Sequence, residues 1–139
     1  MDGAAELDSH RYLSLATYRG SGVEVATPVW FAAVDSTLYV FTAGDSGKVK
    51  RLRRSSRARV APCDMRGTVT GPWRDATARI ATDPAVIARA QGALRAKYGW
   101  KKWLLDLGSR LTGRIHRRAW IAVDELSAPV ESGPAPPAA

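Results

Sequence analysis

The sequence runs to 139 residues, with 21 Lys and Arg against 13 Asp and Glu for a formal charge of +8, and it is 45% hydrophobic and 24% charged. That balance sustains a buried core and excludes wholesale disorder, and the length accommodates one domain but no second. One cysteine, Cys63, and two distant histidines, His10 and His116, exclude a disulfide framework and a Cys-based structural zinc site.

The first eight residues carry acids where a secretory leader needs a basic start and an apolar run. The longest uncharged, mostly apolar stretch, Val25 to Val34, is about half of the roughly 20 residues a membrane-crossing helix requires. A cytoplasmic protein with no integral membrane association is expected. Residues 1–6 are read as an N-terminal tail and 7–126 as one domain. The Pro- and Ala-rich 127–139 are read as a disordered end.

Tyr12 to Tyr18 and Val23 to Phe31 read as two strands joined by the Arg19-Gly20-Ser21-Gly22 turn. Pro28 lacks an amide hydrogen, so it belongs at a bulge or an unpaired edge. Thr37 to Thr42 is a third strand of an antiparallel meander. A short basic helix is expected next, starting near Ser46 or Gly47, with Val49 and Leu52 on its apolar face. Ser46 is placed to cap it, leaving backbone amides and Lys48 and Lys50 suited to a phosphate.

Ala58 to Cys63, Gly67 to Gly71 and Ala76 to Ile80 read as further strands. Thr82-Asp83-Pro84 opens a helix whose apolar face is Val86, Ile87, Ala90, Leu94 and Tyr98. Gly99 interrupts it. Trp100, Trp103, Leu104, Leu107 and Leu111 form a second stripe, suited to core packing, a subunit contact or an interfacial membrane helix. Ala119 to Val123 is the last strand.

The charge is segregated. Between Gly47 and Arg66 eight basic residues face one acid, Asp64, and between Arg95 and Arg118 eight face Asp106. Such blocks make a positive surface aimed at a polyanion: a phosphorylated cofactor, a nucleic acid or an anionic membrane. A merely solvated basic face is the alternative.

The order of these elements resembles the split β-barrel flavin and deazaflavin oxidoreductases, the pyridoxamine 5′-phosphate oxidase-like group, and within it the coenzyme F420-dependent branch of FDOR-B type. The resemblance spans roughly Leu7 to Leu126. It is carried by Thr27-Pro28-Val29-Trp30-Phe31, Leu38-Tyr39-Val40-Phe41-Thr42, and the run Ser46 to Arg54 leading into Arg57-Ala58-Arg59-Val60. It implies a mainly β, antiparallel split barrel of six to seven strands with flanking helices, forming a homodimer with the cofactor in the groove between subunits. Carried over residue by residue, it implies Thr42, Ser46, Gly47, Lys48 and Lys50 as cofactor contacts, with Arg51 beside them. The implied cofactor is coenzyme F420, with FMN the alternative, and the implied activity is hydride exchange with a small conjugated or heterocyclic substrate. Coenzyme F420 carries a phosphodiester and an oligoglutamate tail, which suits the basic blocks. Residues that recognise pyridoxal phosphate in the oxidase itself have no counterpart here, which argues against vitamin B6 oxidation.

No residue is nominated as catalytic, because hydride transfer is the cofactor's chemistry and the protein supplies binding and orientation. His10, His116 and Cys63 lack the partners a catalytic motif needs. Trp30, Trp100 and Trp103 are candidates for the substrate end of the groove, with core packing the alternative for each. A nucleic-acid binder without catalysis is the competing class; against it, the aromatics fall in strand centres and an apolar helix stripe, and no RNA-binding motif is present. Nucleic acid is therefore not expected as a partner, nor is a metal.

Overall fold

A computed structural model describes residues 3–43, 47–99 and 118–128. Six antiparallel strands close into a barrel in the order β1-β2-β3-β6-β5-β4. They are β1 (Tyr12–Tyr18), β2 (Glu24–Val34), β3 (Thr37–Ala43), β4 (Arg57–Cys63), β5 (Arg74–Ala81) and β6 (Arg118–Asp124), accompanied by helices α1 (Gly3–Leu7), α2 (Gly47–Leu52) and α3 (Pro84–Tyr98). This is the expected mainly β split barrel.

Period-two alternation sorts the side chains into two cores. Leu13 and Leu15, Val29 and Phe31, Leu38 and Val40, Ala58 and Val60, and Ile121 and Val123 meet inside the barrel, joined by Ala4 and Leu7 of α1 and Leu52 of α2. The opposite faces of β2, β3 and β6 carry Ala32, Tyr39, Trp120 and Ala122, and α3 covers them with Ala90, Leu94 and Tyr98. The apolar face read from the sequence is the one α3 buries. Asp83 caps that helix by accepting from the Ala85 amide at 2.9 Å, and Gly99 ends it with φ 82°, a left-handed value that costs glycine little.

Pro28 sits in β2 opposite Ser14 of β1, short of Trp30, where pairing with β3 begins. Its missing amide hydrogen therefore faces a side with no ladder partner. The β2–β3 turn is tight, with Asp35 at φ 55°, a value aspartate tolerates better than most residues.

One sequence expectation changes. Gly67 to Gly71 is not a strand: one isolated bridge, Cys63 to Val69, is all the pairing it makes. The Asp64 carboxylate accepts from the Arg66 and Thr68 amides, each at 2.9 Å, and curls the chain into a loop instead. Gly71 lies against Pro62, where an added Cβ would approach the ring to 2.5 Å. Both ends of the described chain pack on the barrel. Helix α1 buries Ala4, from the segment 1–6 read as a tail, together with Leu7, while Arg74, itself buried, reaches Glu6 at 2.8 Å. At the other end, Ser127 donates its amide to Asp75 O and accepts from the Asp75 amide through its hydroxyl. The Trp100 to Leu111 stripe and residues beyond 128 lie outside the described residues.

The β1–β2 seam shows how α3 is tied to the barrel. Strand pairing ends at Leu13 opposite Val29, and continuing the register sets Arg11 opposite Phe31. The Tyr98 hydroxyl fills that place: it donates to Arg11 O at 2.6 Å and accepts from the Phe31 amide at 3.1 Å. Two residues on, the Ala33 amide donates to the Asp8 carboxylate at 3.0 Å, which also pairs with Lys97 at 3.1 Å. Side chains thus complete a ladder whose partner strand has ended.

Tyr98→Phe removes a buried partner from both Arg11 and Phe31 and is expected to cost about 1–3 kcal/mol in urea unfolding. Burial, with the Glu24 carboxylate in the case of Tyr18, pushes Tyr18 and Tyr98 from 10.0 up to about 12. Both folded values exceed the unfolded one, so the phenols' contribution is complete below pH 10 and is lost as pH rises to about 12. Unfolding midpoints across that range, in the wild type and in Tyr98→Phe, check both expectations.

Candidate functional site: a basic cavity at the barrel mouth

Thr17 follows Leu13 and Leu15 on the inner face of β1 and is fully buried. It lies where β1 runs out into the Arg19–Gly22 turn, and α2 packs against the same strand through the buried Val49 and Leu52. The seating of α2 carries Arg51 to the barrel wall, where its Nε donates to Thr17 Oγ1 at 2.6 Å.

A cavity of about 280 Å³ opens here, lined by Arg19, Gly20, Gly47, Lys50, Arg51 and Arg54. Four of the six lining residues are cationic. Among the described residues no carboxylate pairs with any of them, whereas Arg59 and Arg74 elsewhere in the barrel each have an acidic partner. Burial, and then the neighbouring Arg19 guanidinium, push Arg51 below its ordinary value. The cavity is therefore a concave, strongly cationic surface among the described residues.

Two glycines admit the arginines. A Cβ on Gly47 would stand 2.7 Å from an Arg51 terminal nitrogen, and one on Gly20 would stand 3.0 Å from Arg54. Helix α2 has only six residues, so its macrodipole is slight and the charge at the site comes from side chains.

Of the residues expected to contact a cofactor, Gly47, Lys50 and Arg51 line the cavity. Lys48 does not; it is half-buried, and burial followed by Arg51 lowers its affinity for a proton. Thr42 is buried near the end of β3, on the strand face that carries Leu38 and Val40, and is not among the lining residues. Ser46 lies outside the described residues, as do Trp100 and Trp103. Trp30 is half-buried in the cluster under α3, stacked on Tyr98 with ring centroids 4.7 Å apart.

Sequence reasoning missed Thr17, Arg19, Gly20 and Arg54. Arg19 and Gly20 were visible only as a turn, and Arg54 only as one base in a run. The Thr17–Arg51 contact joins residues 34 apart in sequence, and only the closed barrel reveals it.

Among the described residues no cluster of His, Cys, Asp and Glu suits a metal ion, and no helix is long and apolar enough to cross a membrane. Cys63 is buried, and its thiol is pushed up to about 11 by burial and Asp64, which removes the thiolate a nucleophile needs. Among the described residues the exposed large hydrophobic ones are Val23, Met65 and Val69, and Trp73 is half-buried with the Arg59 guanidinium over its ring at 4.9 Å.

The chain is thus a closed antiparallel barrel with a basic cavity lined by Arg19, Lys50, Arg51 and Arg54. The chain belongs to the pyridoxamine 5′-phosphate oxidase family, the flavin-binding split barrels, whose family profile matches residues 3–124. Among solved structures it is similar to the heme storage protein HutZ from Vibrio cholerae, at 13% identity with a TM-score of 0.63, covering 92% of this chain and 88% of that one. It is similar also to an F420 reductase (16% identity, TM-score 0.58, 95% and 99% coverage) and to an FAD-binding protein from Mesorhizobium loti (16%, 0.55, 91% and 83%). No curated protein matches the sequence.

Gly47→Ala changes no buried packing, and the atom it displaces is the far end of a flexible side chain, so stability is expected to stay within about 1 kcal/mol of wild type. The displaced Arg51 is expected to weaken anion binding. Thermal melts in phosphate against chloride at equal ionic strength check this: phosphate raises the wild-type Tm, and Gly47→Ala loses most of the rise.

Proposed function

We propose that this chain is a coenzyme F420-dependent oxidoreductase that holds the cofactor's phosphodiester in the basic cavity at the barrel mouth and acts as a homodimer on a small conjugated or heterocyclic substrate. The observation that carries the reading is the set of four cations, Arg19, Lys50, Arg51 and Arg54, that line one cavity with no acidic partner among the described residues. Such a set concentrates a positive potential that an anionic ligand meets on entering the cavity.

The residues present fit a phosphorylated cofactor. Arg51 presents a planar fork anchored at one nitrogen, and Gly47 leaves space for it. Lys50 and Arg54 stand at the cavity, and Arg53 and Arg57 are exposed nearby in sequence, so a ligand with charge beyond its phosphate meets further cations. That favours coenzyme F420, with its oligoglutamate tail, over FMN. The likeness to an F420 reductase along nearly the whole of both chains agrees with this choice.

When bound, the deazaflavin supplies the hydride-carrying centre. The chain's own contribution is to bind and orient. Arg51 and Lys50 fix the phosphate end, and the barrel wall directs the ligand outward from that anchor. Trp100 and Trp103 are proposed for the substrate end. Trp30, stacked on Tyr98, serves the packing of α3 in this account.

The test is a fluorescence titration of the purified protein with coenzyme F420 and, separately, FMN, alongside a Lys50→Ala/Arg51→Ala variant. F420 is expected to bind more tightly than FMN. The variant is expected to bind F420 at least about tenfold more weakly, the loss one charge-assisted hydrogen bond carries. Binding of neither cofactor, with salt-sensitive binding of a single-stranded oligonucleotide, would overturn the proposal in favour of a nucleic-acid surface.

A further inference from the structure

We infer that Thr17 is a positioning residue of the anion site: its buried hydroxyl fixes the Arg51 guanidinium in the orientation that receives the ligand's phosphate. This rests on the reading that the cavity binds a phosphorylated cofactor.

An arginine on a six-residue helix beside three other cations is not held in a cavity by electrostatics. Arg19, Lys50 and Arg54 all line the same space, and their repulsion favours Arg51 swinging out to water. What opposes this is the hydrogen bond from Arg51 Nε to Thr17 Oγ1 at 2.6 Å. Thr17 is an unusually firm anchor. It is fully buried and pairs with Val25 of β2, and its neighbour Ala16 pairs with both Ala26 of β2 and Arg59 of β4. The hydroxyl therefore moves only if the barrel seam moves.

Gly47 supplies the room that this orientation needs. One terminal nitrogen of Arg51 lies where a Cβ on Gly47 would come within 2.7 Å of it. With Nε held by Thr17 and no Cβ on Gly47 in the way, the guanidinium is oriented before ligand arrives. A preset fork loses less freedom on binding an oxyanion than a mobile one, and the gain appears as affinity. The inner face of β1 otherwise carries Leu13 and Leu15, so a hydroxyl at Thr17 breaks an apolar pattern. Its use by Arg51 accounts for the exception.

The experiment is a double-mutant cycle in the full-length chain read by coenzyme F420 fluorescence, with urea unfolding of each variant in parallel. Thr17→Val keeps the shape and removes the acceptor, Thr17→Ser keeps the acceptor, and Arg51→Lys removes the fork. Thr17→Val is expected to weaken F420 binding about tenfold, and Thr17→Ser is expected to restore it to within about threefold of wild type. In the Arg51→Lys background, Thr17→Val is expected to have no further effect, because the two residues act through one contact. Should Val not be accommodated, Thr17→Ala carries the same comparison. Wild-type affinity in Thr17→Val, or losses that add in the double variant, overturns this inference and leaves the cofactor reading standing. A wild-type protein that binds neither F420 nor FMN overturns both.

Discussion

Strand β1 closes the barrel, and both the fold and the candidate site depend on that closure. It is bonded to β2 on one side and to β4 on the other, so the six-stranded sheet has no free edge along it. At its start, where the ladder with β2 runs out, the Tyr98 hydroxyl bridges Arg11 and Phe31 and ties α3 to the seam. At its end, Thr17 receives Arg51 and ties α2 to the same strand. Side-chain hydrogen bonds at the two ends of one strand thus link it to the two helices that follow later in the chain.

The two arrangements have different physical purposes. Tyr98 satisfies backbone groups that a shortened ladder would leave unpaired inside a packed interface, and its value is stability. Thr17 satisfies an arginine that solvent would otherwise hydrate, and its value is orientation. The acid partners are distributed accordingly: Arg59 has Glu24 and Asp75, and Arg74 has Glu6, whereas the cavity arginines are left without carboxylates among the described residues. Cations that serve the fold are neutralised by the fold, and those at the mouth remain available to a ligand.

Much of the fold was legible in local pattern. Alternation identified the strands, Thr82-Asp83-Pro84 announced α3, and the spacing of Ala90, Leu94 and Tyr98 identified the face it buries. The Gly67 to Gly71 segment misled because β-prone residues were weighed without Asp64, whose side chain captures two amides and bends the chain. Ala4 was hidden because five residues of helix carry too little periodicity to be read. At the site, Gly47, Lys50 and Arg51 came from a run whose charge was obvious. Thr17, Arg19 and Gly20 had no such signal, because their role depends on a turn and a strand end brought to α2 by barrel closure. Lys48 shows the converse: its charge is plain in sequence, yet it is half-buried beside Arg51 and does not line the cavity.

The central claim, that the barrel mouth takes a phosphate through Arg51, is tested most directly by following the phosphorus resonance of coenzyme F420 by NMR as protein is added. The account predicts that the phosphodiester signal shifts and broadens with the wild type and stays at its free position with Arg51→Ala at the same concentrations. A phosphorus signal that the wild type leaves unchanged, in a titration where deazaflavin fluorescence reports binding, would place the phosphate elsewhere and contradict the account.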